Sequence, residues 1–578
     1  MYDTEALKTL VDKAAGGRSP ADLLIINARV VDVFTGEIRE TPVSIGNGKF
    51  LGFAHTEALR TVDAEGAYLL PGLIDAHIHI ESSMASPARF AGLVLPRGTT
   101  SVVADPHEIA NVHGMEGIRY MLENGRHLPL NVFITLPSCV PATPFEDAGA
   151  TLSAEELEEF IDDPKVSGIG EMMNFPGVVT GDYDVLSKIL LGTSHGKVVD
   201  GHAPGLLGRE LDAYLVSGIS TTHECTTLEE MHENLRRGVY VLIREGSAAK
   251  NLKTLLPGVT PGNARRCAFC CDDRHAEDIV REGHMDNHLR LAVAMGMDPV
   301  QAVTMCTLNA AECFGLRGKG AIAPGRDADC ILVDDLENFR VRKVFAAGRL
   351  VAQDGAMLLP LDDAAAGAPS HSVHVKPLAD NAFDLPITSG KARVIGLQAA
   401  SLLTLNLVRA VRTDAAGLFQ CALNPGLNKI AVIERHKATG LMGVGLIEGY
   451  GLQDGAVATT IAHDSHNIVV AGDNDADMLL AVRELAAMGG GIVSAHKGRV
   501  RGLALPIAGL MTSADPLEVS ENLKEMIRAA HEELAIPDAV EPFMSLSFMA
   551  LPVIPELKLT ARGLFNVNTF SFVGIEAD

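Results

Sequence analysis

Between residues 70 and 275, short apolar and β-branched runs alternate with amphipathic or Ala/Leu/Glu-rich stretches. The runs are LLPGLIDAHIHI, TTSVVADPHE, NVFITLP, VSGIGEM, KVVDGHA, ISTTHE, VYVLIREG and CAFCCDD. Near-continuous apolar character is what a strand buried on both faces shows. Helix-like segments separate most of them. Ser153 to Asp163 is one, where Ser153 offers an N-cap and Glu156 completes a capping box. Eight such βα units predict an α/β fold, a (β/α)₈ TIM-like barrel over 71–314, rather than an open sheet.

On either side the period changes to two. Residues 22–70 and the stretch GAIAPGRDADCILVDDLENFRVRKVFAAGRLV (320–351) alternate apolar and polar positions, with Gly and Asn at turns. Both read as short antiparallel strands, so 1–70 and 315–365 are expected to build one small flanking β-domain. DDAAAGAPSHSVHVKP (362–377) is poor in large apolar residues and reads as a linker. From there to residue 578 the chain has room for a further C-terminal α/β domain, assigned to 371–578, with GGGIV (489–493) and a helix-like run at Pro516–Glu533.

Composition narrows the function classes. The chain has 578 residues, 47% of them hydrophobic, and Lys plus Arg number 48 against 73 Asp plus Glu, a formal net charge of −25. No basic face for nucleic acid is expected. The N-terminus MYDTEALKTLVDKAAGGRSP lacks the basic start and apolar middle of a signal peptide, and no later segment is apolar for a membrane span's length. A cytoplasmic protein without membrane partners is expected. Cys267, Cys270 and Cys271 crowd into CAFCC, but no second pair follows at zinc-ribbon spacing, so they read as buried reduced thiols.

Chemistry gathers where each run ends: His77 and His79, Asp105 to Glu108, Glu171, His202, His223 and Glu224, Arg244 and Glu245, Asp272 and Asp273. In a TIM barrel that end is the catalytic face. Side chains alternate along a strand, so His77 and His79 project together. His77, His79, Glu171, His202, His223 and Asp272 form a set of imidazoles and carboxylates suited to two divalent ions bridged by a carboxylate.

That order of ligands resembles the amidohydrolase superfamily: H-x-H on strand one, a bridging ligand on strand four, His on strands five and six, Asp on strand eight. Many members bridge with a carbamylated lysine, whereas this chain has Glu171 in GIGEMMNF. A narrower resemblance, to the bacterial adenine deaminase family, rests on IDAHIHIESSM, DPHEIANVHG, GIGEMMN, GHAPGL, THE, REGSAAKNL, CDDRH and AHDSHNIVVAGDND, in that order. It implies hydrolytic deamination of adenine to hypoxanthine and ammonia, a purine-salvage reaction in which a metal-activated hydroxide attacks C6. It favours Mn²⁺ or Fe²⁺, with Zn²⁺ also suited to the ligands, and a homodimer. Asp272 would then act as general acid/base, and Asp273 would contact a purine nitrogen. Arg244, Glu245 and Ser247 would form a substrate-side loop, against the alternative of a structural Arg–Glu pair. A ring nitrogen needs a proton, for which Glu224 and the Asp105/His107/Glu108 cluster are both candidates, with His107 also a substrate contact. Glu108 can instead open the helix that follows, where the dipole favours an acid.

In AHDSHNIVVAGDNDADM, His463, Asp464, His466, Asp473 and Asp477 fall close together. They fit a third metal or a lid over the pocket, or a turn and helix cap. Two other functions compete: a different amidohydrolase reaction, such as deacylation or cyclic-amide opening, and a non-catalytic scaffold.

Overall fold

Each apolar run forms a strand. In a computed structural model that describes residues 4–16, 19–54, 57–247, 249–363, 367–398 and 401–577, the barrel strands are β1 (Leu73–His79), β2 (Thr99–Ala104), β3 (Asn131–Leu136), β4 (Val166–Met172), β5 (Val198–Gly201), β6 (Thr221–Thr222), β7 (Tyr240–Arg244), β8 (Cys267–Cys270) and β9 (Asp272–Asp273). Hydrogen bonding runs β5-β4-β3-β2-β1-β9 in one sheet and β6-β7-β8 in another, all parallel. The β9–β1 pairing brings the end of the eighth run beside the first strand, with Asp272 opposite Ile78 and Asp273 opposite His79. This is the TIM-type α/β barrel that the alternation predicts. Its strand residues are almost wholly buried, and Ile74, Ala76, Val103, Leu242, Ala268 and Cys270 share a core cluster with the Leu308–Cys313 helix. Cys267, Cys270 and Cys271 are fully buried. The capping box at Ser153 is formed, and its helix spans Ala154–Ile161.

Strands from both sides of the barrel interleave. Cys330–Val333 pairs antiparallel with Tyr68–Pro71 in a seven-stranded sheet, and a four-stranded sheet from residues 23–63 lies beside it in sequence. Leu23, Ile25, Val43, Ile45, Leu69, Leu332 and Phe345 fill one shared core. Tyr68–Pro71 therefore ends the β-domain two residues before β1 begins, and Gly72 makes the junction. A Cβ at Gly72 would stand 2.0 Å from Thr100 Oγ1 and 2.7 Å from its Cγ2. Gly72→Ala is expected to cost about 1–3 kcal/mol by overpacking, read as a lower denaturant midpoint with an unchanged slope.

Backbone contacts group the chain into two compact units: Met1–Pro106, Met121–Ser138 and Ser153–Ala364; and His107–Tyr120, Cys139–Leu152 and Ala365–Asp578. The second unit carries an eight-stranded sheet over residues 391–504 and a separate three-stranded sheet over 557–572. The helix Asp475–Ala487 packs Met478, Ala481, Val482 and Leu485 on the sheet core. The segment expected as a linker has no regular structure in its described residues, and 364–366 lie outside them. Among the described residues no helix is long and apolar enough to cross a membrane.

Candidate metal centre

The break between β8 and β9 sets the geometry of the site. Cys271 leaves the strand, and its N–H donates to Asp75 Oδ1 at 3.0 Å. Asp272 then takes a left-handed conformation, φ +61°, which Asp tolerates better than most residues. The result places Asp272 Oδ1 3.1 Å from His79 Nε2 and 3.6 Å from His77 Nε2.

The two β1 imidazoles are held from behind. His77 Nδ1 donates to Asp200 Oδ2 at 2.7 Å, and His79 Nδ1 donates to the Asp105 carbonyl at 2.9 Å. Those bonds leave each Nε2 facing inward as a lone-pair atom, and the two lie 3.2 Å apart. Glu171, buried on β4, presents Oε1 to His79 Nε2 at 3.3 Å. Its Oε2 meets His202 Nδ1 at 2.6 Å and His223 Nε2 at 3.0 Å. His202 follows β5 and is fixed by its own N–H, which donates to Tyr214 Oη at 2.9 Å; Tyr214 in turn donates to the Met172 carbonyl. Two donor triads thus share one carboxylate: His77/His79/Glu171 and Glu171/His202/His223.

Two observations say that this set fits a cation. Adjacent Nε2 lone pairs repel unless a proton or an ion lies between them. His223 is buried, its Nε2 lies 3.0 Å from Glu171 Oε2 outside hydrogen-bond geometry, and its Nδ1 meets no partner among the described residues. The charge balance agrees: Glu171, Asp200, Glu224 and Asp272 are buried or nearly so, against the guanidinium of Arg244. Burial alone would lower the His77 pKa, but the facing Asp200 carboxylate outweighs it and pushes it up to about 10. His202 is likewise raised to about 9, where burial is overcome by Glu224 and Glu171. Glu171 and Asp272 are held well below the usual carboxylate range despite burial, the first by His202 and the second by Arg244. An ion-free cluster gathers protons that a divalent cation would replace.

Around this centre, Arg244 at the end of β7 uses Nη1 on Glu224 Oε1 and, at 2.6 Å, on Asp272 Oδ2. Its Nη2 reaches Glu224 Oε2 at 3.2 Å and its Nε reaches Asn251 Oδ1 at 3.2 Å. The Arg–Glu pair weighed in the sequence is present, although the acid is Glu224 and not the adjacent Glu245. Glu245 instead accepts the Leu252 N–H. Ser247 donates from Oγ to Asp278, and its N–H donates to the Asp273 carbonyl at 2.7 Å. Asp273 Oδ1 accepts from Ser82 Oγ at 2.5 Å. Sequence reasoning passed over Asp200, Asp75 and Ser82. The signal for the two acids was their place two residues before a chosen histidine, on the same strand face.

His107 and Glu108 belong to the second unit, in the first turn of the helix His107–His113. There Glu108 Oε1 accepts from His463 Nδ1 at 2.6 Å, and Oε2 meets His466 Nε2. His466 Nδ1 accepts the Ala462 N–H at 3.1 Å, which places the ring proton on Nε2 facing Glu108. Glu108, His463 and His466 thus form a largely buried hydrogen-bonded trio whose donor atoms also lie close enough together to hold an ion. Asp473 and Asp477 are structural: Asp473 accepts the N–H groups of Asp454 and Gly455, and Asp477 those of Lys497 and Gly498.

A barrel with polar strand ends that converge on a carboxylate-bridged donor set defines the class as an amidohydrolase, and residues 68–351 match the Amidohydrolase family. Residues 401–571 match the Adenine deaminase C-terminal domain. The adenine deaminase of Nitratidesulfovibrio vulgaris (strain DP4) is 63% identical over 98% of this chain and 99% of its own. That of Clostridium acetobutylicum is 45% identical over 97% and 99%. The chain belongs to the adenine deaminase family. Among solved structures, a β-aspartyl dipeptidase from Fervidobacterium islandicum aligns with TM-score 0.46 and 19% identity, over 60% of this chain and 100% of its own.

Proposed function

We infer that the chain catalyses the hydrolysis of adenine to hypoxanthine and ammonia. The observation that carries this reading is identity to adenine deaminases along almost the whole chain, at 63% and 45%. The buried donor set supplies the chemistry that such a reaction requires. His77, His79, Asp272, Glu171, His202 and His223 are assigned as the residues that would hold two divalent ions. Imidazole and carboxylate suit Mn²⁺, Fe²⁺ and Zn²⁺ alike, and family resemblance favours the first two. Bound there, the ions supply Lewis acidity that lowers the pKa of water toward neutrality.

The chain's own residues handle protons and orientation. Asp272 takes the proton of the attacking water on its carboxylate and delivers it to the departing amine, a general acid/base role. Arg244 holds Oδ2 of that carboxylate, so the group does not rotate away between the two transfers. Asp273, oriented by Ser82, is assigned to a purine ring nitrogen. Glu224 lies 3.5 Å from His223 Nε2 and 3.7 Å from His202 Nδ1. It is the candidate within the barrel unit for protonating the ring as C6 becomes tetrahedral.

The test is ammonia release, with the purine absorbance followed in parallel, from Mn²⁺-loaded protein given adenine, adenosine or N-acyl compounds. Release from adenine alone is expected. Absence of release from adenine by metal-loaded protein, or release from an N-acyl substrate instead, overturns the assignment.

A further inference from the structure

Asp105 lies in the DPHE run that sequence reading left among several proton-donor candidates, and its contacts point elsewhere. Its backbone carbonyl accepts the Nδ1–H of His79 at 2.9 Å. Its carboxylate Oδ2 accepts the backbone N–H of Glu171 at 2.8 Å. One residue after β2 therefore touches both the β1 imidazole and the backbone of the β4 residue whose carboxylate meets that imidazole. On the far side of Glu171, Ser138 Oγ donates to its carbonyl at 2.5 Å, so the peptide on each side of this residue is fixed by a neighbouring strand end.

The sequence makes room for this contact. Gly170 precedes Glu171, and a Cβ there would stand 2.2 Å from Asp105 Oδ2 and 2.7 Å from its Cγ. Gly170 has no positive φ to explain its presence. Its missing side chain is the space through which the Asp105 carboxylate reaches the backbone of β4.

We propose that Asp105 is a positioning residue that locks His79 and Glu171 into one geometry, with Gly170 as the clearance that permits it. The proposal rests on the reading of His79 and Glu171 as metal ligands. Partners behind the ligands orient them and tune affinity, and losing one typically weakens binding by about 10–100-fold. The Asp105 carbonyl on His79 is main chain and stays in every variant, whereas its carboxylate acts by accepting the Glu171 N–H, so an uncharged acceptor of the same size should replace the side chain.

The experiment uses full-length protein stripped of metal and titrated with Mn²⁺ against a chelating indicator, giving the number of ions and their affinities independently of turnover. Wild type is expected to bind two ions. Asp105→Ala should weaken at least one of them by about 10–100-fold, and Gly170→Ala should do the same by displacing the carboxylate. Asp105→Asn keeps an oxygen acceptor and should stay within about threefold of wild type. If Asp105→Ala does not fold, the contrast between Asp105→Asn and Gly170→Ala carries the test. Wild-type affinity in folded Asp105→Ala or Gly170→Ala overturns the proposal. A loss in Asp105→Asn as large as in Asp105→Ala also overturns it, because charge and not acceptance would then be the property used. Wild type that binds no Mn²⁺ overturns the metal-centre reading itself, and this proposal with it.

Discussion

Asp272→Asn is expected to lower turnover on adenine by about 10²–10⁴-fold while leaving the fold intact. The two oxygens of Asp272 have different tasks. Oδ1 faces His79 and His77 Nε2 at 3.1 and 3.6 Å, and Oδ2 accepts from Arg244 at 2.6 Å. An amide keeps the shape, so the β9–β1 pairing and the left-handed turn should survive. It cannot take up a proton at neutral pH, and its NH₂ must face either Arg244 or the donor cluster, both of which require an acceptor. The effect should therefore fall on kcat more than on KM, because the lost function operates on the reacting water and leaving amine rather than on the bound base. The checks are steady-state ammonia release, circular dichroism and bound metal per chain. Near-normal turnover would remove Asp272 from the proton-transfer role.

Exhaustive removal of divalent metal should abolish adenine deamination, and Mn²⁺ should restore it with a break near two equivalents per chain. The physical basis is the charge of the site. Glu171, Asp200, Glu224 and Asp272 share a largely buried space with the Arg244 guanidinium and with imidazoles that gather protons when no ion is bound, and like charges brought together away from water repel strongly. Bound cations relieve that repulsion only in the folded state, so metal should also stabilise the fold. Linkage gives about 2.7 kcal/mol per site at a free-ion concentration of 100 times Kd. Thermal unfolding with and without Mn²⁺ measures this separately from turnover. Full activity in metal-free protein would end the metal-dependent reading.

Much of this was legible because it is local. A buried strand announces itself by apolar continuity, and two histidines one residue apart must share a face. The eight runs, the H-x-H pair, Glu171, His202, His223 and Asp272 were therefore all visible along the chain. So was the capping box at Ser153, whose partners are three residues apart. Other readings stayed open because their answer was a partner far away in sequence. Arg244 was read as a substrate-side residue or one half of a salt bridge. Its partners are Glu224 and Asp272, 20 and 28 residues away. Glu108 was read as a proton donor or a helix opener, and it meets His463 and His466 across 355 and 358 residues.

The sequence by itself determined the barrel, its flanking strands and the kind of chemistry its strand ends carry. Those follow from side-chain alternation, apolar burial and donor type, which act over a few residues. Tertiary structure alone decided which acid backs which imidazole: Asp200 behind His77, and the Asp105 carbonyl behind His79. It also decided that a break at Cys271 would turn Asp272 toward both histidines. These contacts exist only once the ring of strands closes, because closure brings chain segments tens of residues apart to within hydrogen-bonding distance.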